Sequence, residues 1–377
     1  MRIAIVTETA PPNVNGVVTR LGHTIRELRA LGDEVLVLAP STAPSSWEGA
    51  IVVRAPSVRL PHYPELSVGL PHLGLHGALS KFRPDVVHAV NPVVLGAGTL
   101  VYARTLGAPI VASFHTHLPS YLRHYGLGAM EDLAWDLLRG IHNQAAVNLC
   151  VSGVIADDIR RRGFQRVEVG WRGGVDTALF HPGRASLRAR RRLTHGRDRR
   201  PVVLYVGRIS AEKNVGLLGP ISACLPEAHF AVVGDGPELR PLKEAMKGRS
   251  ASFLGYLRGP KLAAAMASAD VLVFPSATET LGLVALEAMA AGTPVVAAAA
   301  GGLAEVVEDG RTGLLFPPDD AAAAAGSIRR LLEDRVECQL MRVRAWRFAS
   351  GWTWEAAALD LRGRYLKAAG IAQPRAA

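Results

Sequence analysis

The chain has 377 residues, of which 49% are hydrophobic and 20% charged, with a formal net charge of +10. These figures suit two globular domains of ordinary size and exclude a disordered or fibrous chain. The three cysteines, Cys150, Cys224 and Cys338, are odd in number and widely spaced, which excludes a disulfide framework or a zinc site and points to core packing in a reducing cytoplasm.

The opening run Met1-Arg-Ile-Ala-Ile-Val6 is too short for a secretory signal and reads as a first strand. A helix is expected from Gly16 to Leu31, with Leu21, Ile25, Leu28 and Leu31 on one face and Gly32-Asp33 as its stop. Further strands are expected at Glu34–Leu38, Ile51–Arg54, Asp85–Ala89, Ile110–Phe114, Val147–Cys150 and Val167–Val169. The pattern then breaks at Pro182-Gly183. Gly183 to Arg200 carries eight Arg and one Asp, so most of the excess charge is local. It reads as a solvated helix and basic linker between domains, or as a patch facing an anionic membrane surface or an acidic substrate. Nucleic acid is disfavoured, because no aromatic residues interleave with the arginines.

Strands resume at Val202–Val206, His229–Val233, Ser252–Leu254, Val271–Phe274 and Pro294–Ala297. Uninterrupted apolar runs such as Val271-Leu-Val-Phe274 suit parallel strands covered on both faces. Helices follow from Ala321 to Leu332 and beyond, the last beginning at Thr353 with Trp354, Leu359, Leu361 and Tyr365. The alternation predicts an α/β chain of two Rossmann-like domains facing across a cleft. The expected division is 1–182 for the first Rossmann-like domain, 183–200 for the linker, 201–350 for the second Rossmann-like domain and 351–377 for a helix and tail. No stretch has the length and purity of a membrane span.

Five segments carry candidate chemistry. Asn15-Gly16 opens a helix, whose N-terminus suits phosphate. Gly207-Arg-Ile-Ser-Ala-Glu-Lys213 follows a strand, and Arg208 with Lys213 has the charge and donors for a diphosphate. Gly234-Asp-Gly236-Pro237 is a tight strand-to-helix turn. In Glu279-Thr-Leu281-Gly282-Leu283-Val-Ala-Leu-Glu287 two carboxylates stand eight residues apart, with Gly282 at a helix start. Carboxylates accept paired hydrogen bonds from vicinal hydroxyls, and Glu287 sits in an apolar stretch that calls for a partner. Finally, Phe114-His115-Thr-His117 ends the fifth strand. Read singly, most of these segments are equally at home as plain turns, surface ion pairs or packing histidines.

Together with Gly173-Gly-Val-Asp176, Phe180-His-Pro182, Gly301-Gly302…Glu305 and Gly310-Arg-Thr-Gly-Leu-Leu-Phe-Pro-Pro318, these motifs resemble the retaining glycosyltransferases of GT-B fold, family 4 type, almost end to end. The branch most similar in look is that of the sulfoquinovosyl and mannosyl glycolipid synthases. The resemblance implies a nucleotide-sugar donor as substrate, no cofactor and no required metal. The lack of an Asp-x-Asp motif agrees with the last point. It implies that Arg208 and Lys213 neutralise the donor diphosphate, that Glu287 holds the ribose diol, and that Glu279 holds sugar hydroxyls beside the backbone of Leu281, Gly282 and Leu283. Gly16 and Gly236 would also line the donor, His115 would sit near the reacting carbon, and Asn15 and His117 would lie toward the acceptor. Leu281 replaces a Phe common in the family, and no role is assigned to Trp171-Arg-Gly-Gly174. The implied activity is transfer of a hexose from GDP-mannose or a UDP-hexose to a lipid-linked or polyol acceptor, in the cytoplasm or on the inner membrane face. The alternatives are a soluble sugar or glycan acceptor, a nucleotide-sugar epimerase of the same fold, and a non-catalytic nucleotide-binding module.

Overall fold

The apolar runs become strands. A computed structural model describes residues 1–13, 15–60, 63–115, 119, 128–196 and 199–372. In its first sheet lie β1 (Arg2–Thr7), β2 (Glu34–Pro40), β3 (Ser46–Trp47), β4 (Ala50–Ala55), β7 (Val86–Val90), β8 (Ile110–Phe114), β9 (Val147–Cys150) and β10 (Val167–Val169), with β5 (Ser57–Leu60) and β6 (Tyr63–Gly69) forming a separate hairpin. The second sheet holds β11 (Val202–Val206), β12 (His229–Val233), β13 (Ala251–Phe253), β14 (Val271–Phe274), β15 (Val295–Ala298) and β16 (Gly313–Phe316). β3, the hairpin and β16 are additions to the sequence-based expectation. β16 had been hidden because its Gly313 lies inside the turn-like motif Gly310-Arg-Thr-Gly313.

The chain divides into one unit of Met1–Gly173 with Trp354–Ala377 and another of Gly174–Thr353. The first unit's sheet runs β10-β9-β8-β7-β1-β2-β4-β3, and only the β3–β4 pair is antiparallel. The second runs β13-β12-β11-β14-β15-β16, all parallel. Both orders reverse direction beside their first strand, at β1–β7 and at β11–β14. Ligands of doubly wound sheets bind at the carboxyl ends of strands flanking such a reversal.

The unit boundaries differ from the expected 182 and 200. Residues 174–182 pack into the second unit, where Val175 N–H donates to the Trp352 carbonyl at 2.8 Å. The stretch read as a linker contributes the helix Leu187–Leu193 to that unit. Its Arg190 bridges to Asp270 at 2.6 Å and to the Ser268 carbonyl at 2.9 Å. A guanidinium can satisfy several acceptors at once, so Arg190 is structural, and Arg184 and Arg200 also donate to backbone carbonyls. Arg188, Arg191 and Arg192 remain exposed.

The helix Gly16–Ala30 is capped by Asn15, whose Oδ1 accepts from Val18 N–H at 2.9 Å. It buries Leu21, Ile25 and Leu28, while Leu31 lies past the last turn and is 39% exposed. The C-terminal helix Trp354–Ala368 returns to the first unit and packs on that helix, with Trp354 stacked on His23 at a centroid distance of 4.4 Å. It buries Trp354, Leu361 and Tyr365, but its Leu359 points to solvent. Cys150 and Cys338 are buried as expected. Cys224 is exposed, because it ends the helix Leu218–Cys224 on its solvent side. No helix among the described residues is long and apolar enough to cross a membrane.

Candidate functional site

In the second unit, the loops that follow β11 and β14 meet at the sheet's reversal. Residues 207–209 continue alongside 233–235: Gly207 N–H donates to the Val233 carbonyl at 3.0 Å and Ile209 N–H to the Asp235 carbonyl at 2.9 Å. Gly236 is pressed against this loop. A Cβ there would fall 2.2 Å from the Ile209 carbonyl oxygen, so no larger residue fits. The Tyr205 hydroxyl donates to the Arg208 carbonyl at 2.8 Å, pinning the turn that carries Arg208. Burial, then the nearby Glu279 and Glu212 carboxylates, push the Tyr205 hydroxyl well above its ordinary pKa.

The second loop is stitched to the first. Thr278 Oγ1 donates to the Glu212 carbonyl at 2.9 Å, and Asn214 Nδ2 donates to the Pro275 carbonyl at 3.3 Å. Glu212 itself is buried and accepts from Ser210 Oγ at 2.7 Å, so it is no surface partner of the flanking cations. These ties bring Lys213 Nζ directly onto Glu279 Oε1. A cation and a hydroxyl acceptor thus stand side by side at the carboxyl end of β14.

Gly282 follows with φ +88 and caps the helix Leu283–Ala290, whose first turn holds no acidic residue. Leu281 is buried and Leu283 half-buried beside it. Gly302 N–H donates to the Glu279 carbonyl at 2.7 Å, so the Gly301-Gly302 motif supports the same loop. One turn into the helix lies Glu287. As a residue it keeps some exposed surface, and burial pushes its carboxyl up to about 8. Among the described residues none hydrogen-bonds that carboxyl.

In the first unit, β8 ends beside His115, which is 5% exposed. Its Nδ1 lies 3.1 Å from Arg20 and its Nε2 lies 2.8 Å from Ser113 Oγ. Burial, then the positive Arg20, hold its pKa well below the ordinary 6.5. Both ring nitrogens are therefore engaged inside the unit. Asn15 is committed as a helix cap, and Gly16 is the exposed first residue of that helix, with no acidic residue in its first turn. His117 lies outside the described residues.

Several of these residues were not singled out from sequence. His88 had a readable signal, since it is a polar residue inside the apolar run Val86-Val-His-Ala-Val90 of β7. Arg20 lies one turn before the buried Thr24, at the border of the helix's apolar stripe. Tyr205, Thr278 and Ser113 gave no local sign.

The chain matches the family model for "Glycosyltransferase Family 4" over residues 14–179 and that for "Glycosyl transferases group 1" over residues 200–334. It is 37% identical to the sulfoquinovosyl transferase SQD2 of Arabidopsis thaliana, over 98% of this chain and 74% of that protein. It is also 37% identical to a GDP-mannose-dependent alpha-mannosyltransferase of Mycolicibacterium smegmatis, over 100% of both chains. Among solved structures, Anabaena Alr3699/HepE in complex with UDP is similar with a TM-score of 0.80 at 20% identity, over 97% of this chain and 100% of that one. Sucrose-phosphate synthase from Thermosynechococcus elongatus is similar with a TM-score of 0.79 at 23% identity, over 97% and 98%.

Proposed function

Because the chain belongs to the family 4 type of GT-B glycosyltransferases, we propose that it is a retaining hexosyltransferase, moving a hexose from GDP-mannose or a UDP-hexose to a lipid-linked or polyol acceptor. The observation that carries this reading is the Lys213–Glu279 pair at the sheet reversal, followed by a helix N-terminus without acidic residues. A departing nucleoside diphosphate needs fixed positive charge where its own charge develops. Lys213, Arg208 and that helix end supply it, and no metal is required. Glu279 takes sugar hydroxyls and Glu287 the ribose diol. The acceptor is placed on the inner face of a membrane, with the exposed Arg188, Arg191 and Arg192 toward anionic lipid.

The test supplies purified protein with labelled UDP-glucose, UDP-galactose or GDP-mannose, a chelator, and vesicles of membrane lipid extract. Label is expected in lipid with the donor's anomeric configuration, less so as salt is raised. Label only in soluble sugars would move the acceptor to a glycan. Free epimerised donor without transfer would replace the reading with an epimerase.

Glu287 adds a pH dependence. A carboxyl held up to about 8 is mostly protonated at neutral pH without donor. A diol donates to the charged form, so binding favours ionisation and releases a proton. Donor affinity is therefore expected to rise with pH from 6 and to level off above about 8. Glu287→Gln should flatten that slope in calorimetric titrations, and Glu287→Ala should weaken binding by about 1–3 kcal/mol. An unchanged slope in a folded Gln variant would remove Glu287 from the ribose.

A further inference from the structure

His115 belongs to a buried chain of polar side chains that the reading above does not use. Arg20 NH1 lies 3.1 Å from His115 Nδ1, and His115 Nε2 lies 2.8 Å from Ser113 Oγ. Ser113 Oγ is in turn 2.8 Å from His88 Nε2, and His88 Nδ1 is 2.6 Å from Tyr365 Oη. The last residue is on the C-terminal helix, 277 positions from His88. Trp171 is wedged edge-on against both imidazoles, each centroid 4.9 Å away. Its indole N–H donates to Thr24 at 2.8 Å, its backbone N–H donates to Asp360 at 2.8 Å, and its φ is +50, a conformation a bulky residue adopts only when its surroundings force it.

Chemistry sets the direction of the first link. A guanidinium has donors only, so His115 Nδ1 must accept. The neutral ring then carries its proton on Nε2 and donates to Ser113. With only the Arg20 N–H that points at His115 counted, the five groups bring one more polar hydrogen than the chain has links. The surplus falls on Tyr365 if Ser113 donates to His88, or on Ser113 if Tyr365 does. The His115 tautomer is the same in either case.

Stability alone does not account for this cluster. Arg20 is 4% exposed and its guanidinium lies over the Trp171 ring at 5.6 Å, but among the described residues its Nε has no hydrogen-bond partner and no carboxylate pairs with it. A buried guanidinium without a counter-ion costs free energy, and an apolar side chain of similar length would not.

We infer that Arg20, Ser113, His88 and Tyr365 are positioning residues that hold His115 in one orientation as the neutral Nε2–H tautomer. The inference rests on the proposed place of His115 near the reacting carbon. It makes His115 a fixed, uncharged group there, since neither ring nitrogen can exchange a proton without breaking a link. It also makes the C-terminal helix part of the apparatus, with Tyr365 as the far anchor.

Full-length protein labelled with 15N-histidine reads this directly through two-bond 1H–15N spectra, with His115 identified by its loss in His115→Gln. The parent is expected to show His115 protonated on Nε2 alone. Arg20→Met keeps the length and removes the charge. It should give a mixture of tautomers, a melting temperature equal to or above the parent's, and a kcat lower by about tenfold or more with the donor KM within about twofold. Tyr365→Phe should lower kcat in the same way, by a smaller factor. An Nδ1–H tautomer in the parent would overturn the inference, as would a folded Arg20→Met protein with parental kcat. The spectrum needs no turnover, so a parent with the Nε2–H tautomer and no sugar transfer would overturn the proposed function and leave the chain of hydrogen bonds standing.

Discussion

Lys213→Ala is expected to lower kcat by about 10²–10³, the scale of losing one preorganised donor to developing negative charge. The proposed leaving group is a nucleoside diphosphate, whose charge grows as the glycosidic bond breaks. Lys213 is positioned for it by two independent devices. The loop that carries it is tied through the Glu212 carbonyl to Thr278, and its Nζ rests on Glu279. Its side chain is 24% exposed and that of Glu279 15%, so the pair is partly shielded from solvent but is not a core element. The variant should therefore fold, and its loss should appear in kcat more than in stability. Lys213→Arg keeps the charge and should recover part of the rate, though its planar fork does not reproduce a point charge on this short reach. Steady-state kinetics with saturating donor decide the matter. A folded alanine variant within a few-fold of the parent would take Lys213 out of the diphosphate site.

The second large effect is on stability. Asp33 follows the first helix with its side chain fully buried. It pairs with the N-terminal ammonium at 2.7 Å and with Arg362 Nε of the C-terminal helix, also at 2.7 Å. The Arg362 NH2 adds a bond at 3.1 Å. Removing one partner of a buried pair leaves the other charge uncompensated, which typically costs about 3–5 kcal/mol. Asp33→Ala should lower the urea midpoint of the first unit accordingly. Arg362→Ala should cost less, because that side chain is 22% exposed and water can replace part of what Asp33 loses. Equal midpoints for Asp33→Ala and the parent would contradict the arrangement. The C-terminal helix is held by this pair as well as by the Tyr365–His88 bond, so its detachment should be felt at His115.

Much of the proposed donor side was legible because its determinants are local. β11, β12 and β14 are buried on both faces and therefore read as unbroken apolar runs. Gly282 and Glu287 could be placed by helix phase alone, since capping and the 3.6-residue period act over a few residues. The first unit's candidate residues were harder. Nothing near Arg20 or Tyr365 marks them as neighbours of one histidine network. The arginine-rich stretch was hard to read for a related reason. Eight arginines in a short stretch look solvated, and the distant Asp270 and Ser268 carbonyl, with the Arg200 carbonyl, turn Arg190 inward.

By itself the sequence determined the α/β class, most of the strands and the family resemblance, and that resemblance named the residues proposed to face the donor. The class and the strands follow from periodicity, turn chemistry and short-range spacing. Only the tertiary structure decided which loops touch, where one unit ends and the next begins, and which polar groups are buried together. Those outcomes depend on pairings across as many as 329 residues, and on desolvation that each group meets only after the sheets have formed. Glu279 and Glu287 illustrate the division. Their spacing was plain from the start. That one would be paired with Lys213 and the other half-buried, with no hydrogen bond to its carboxyl among the described residues, was decided by packing.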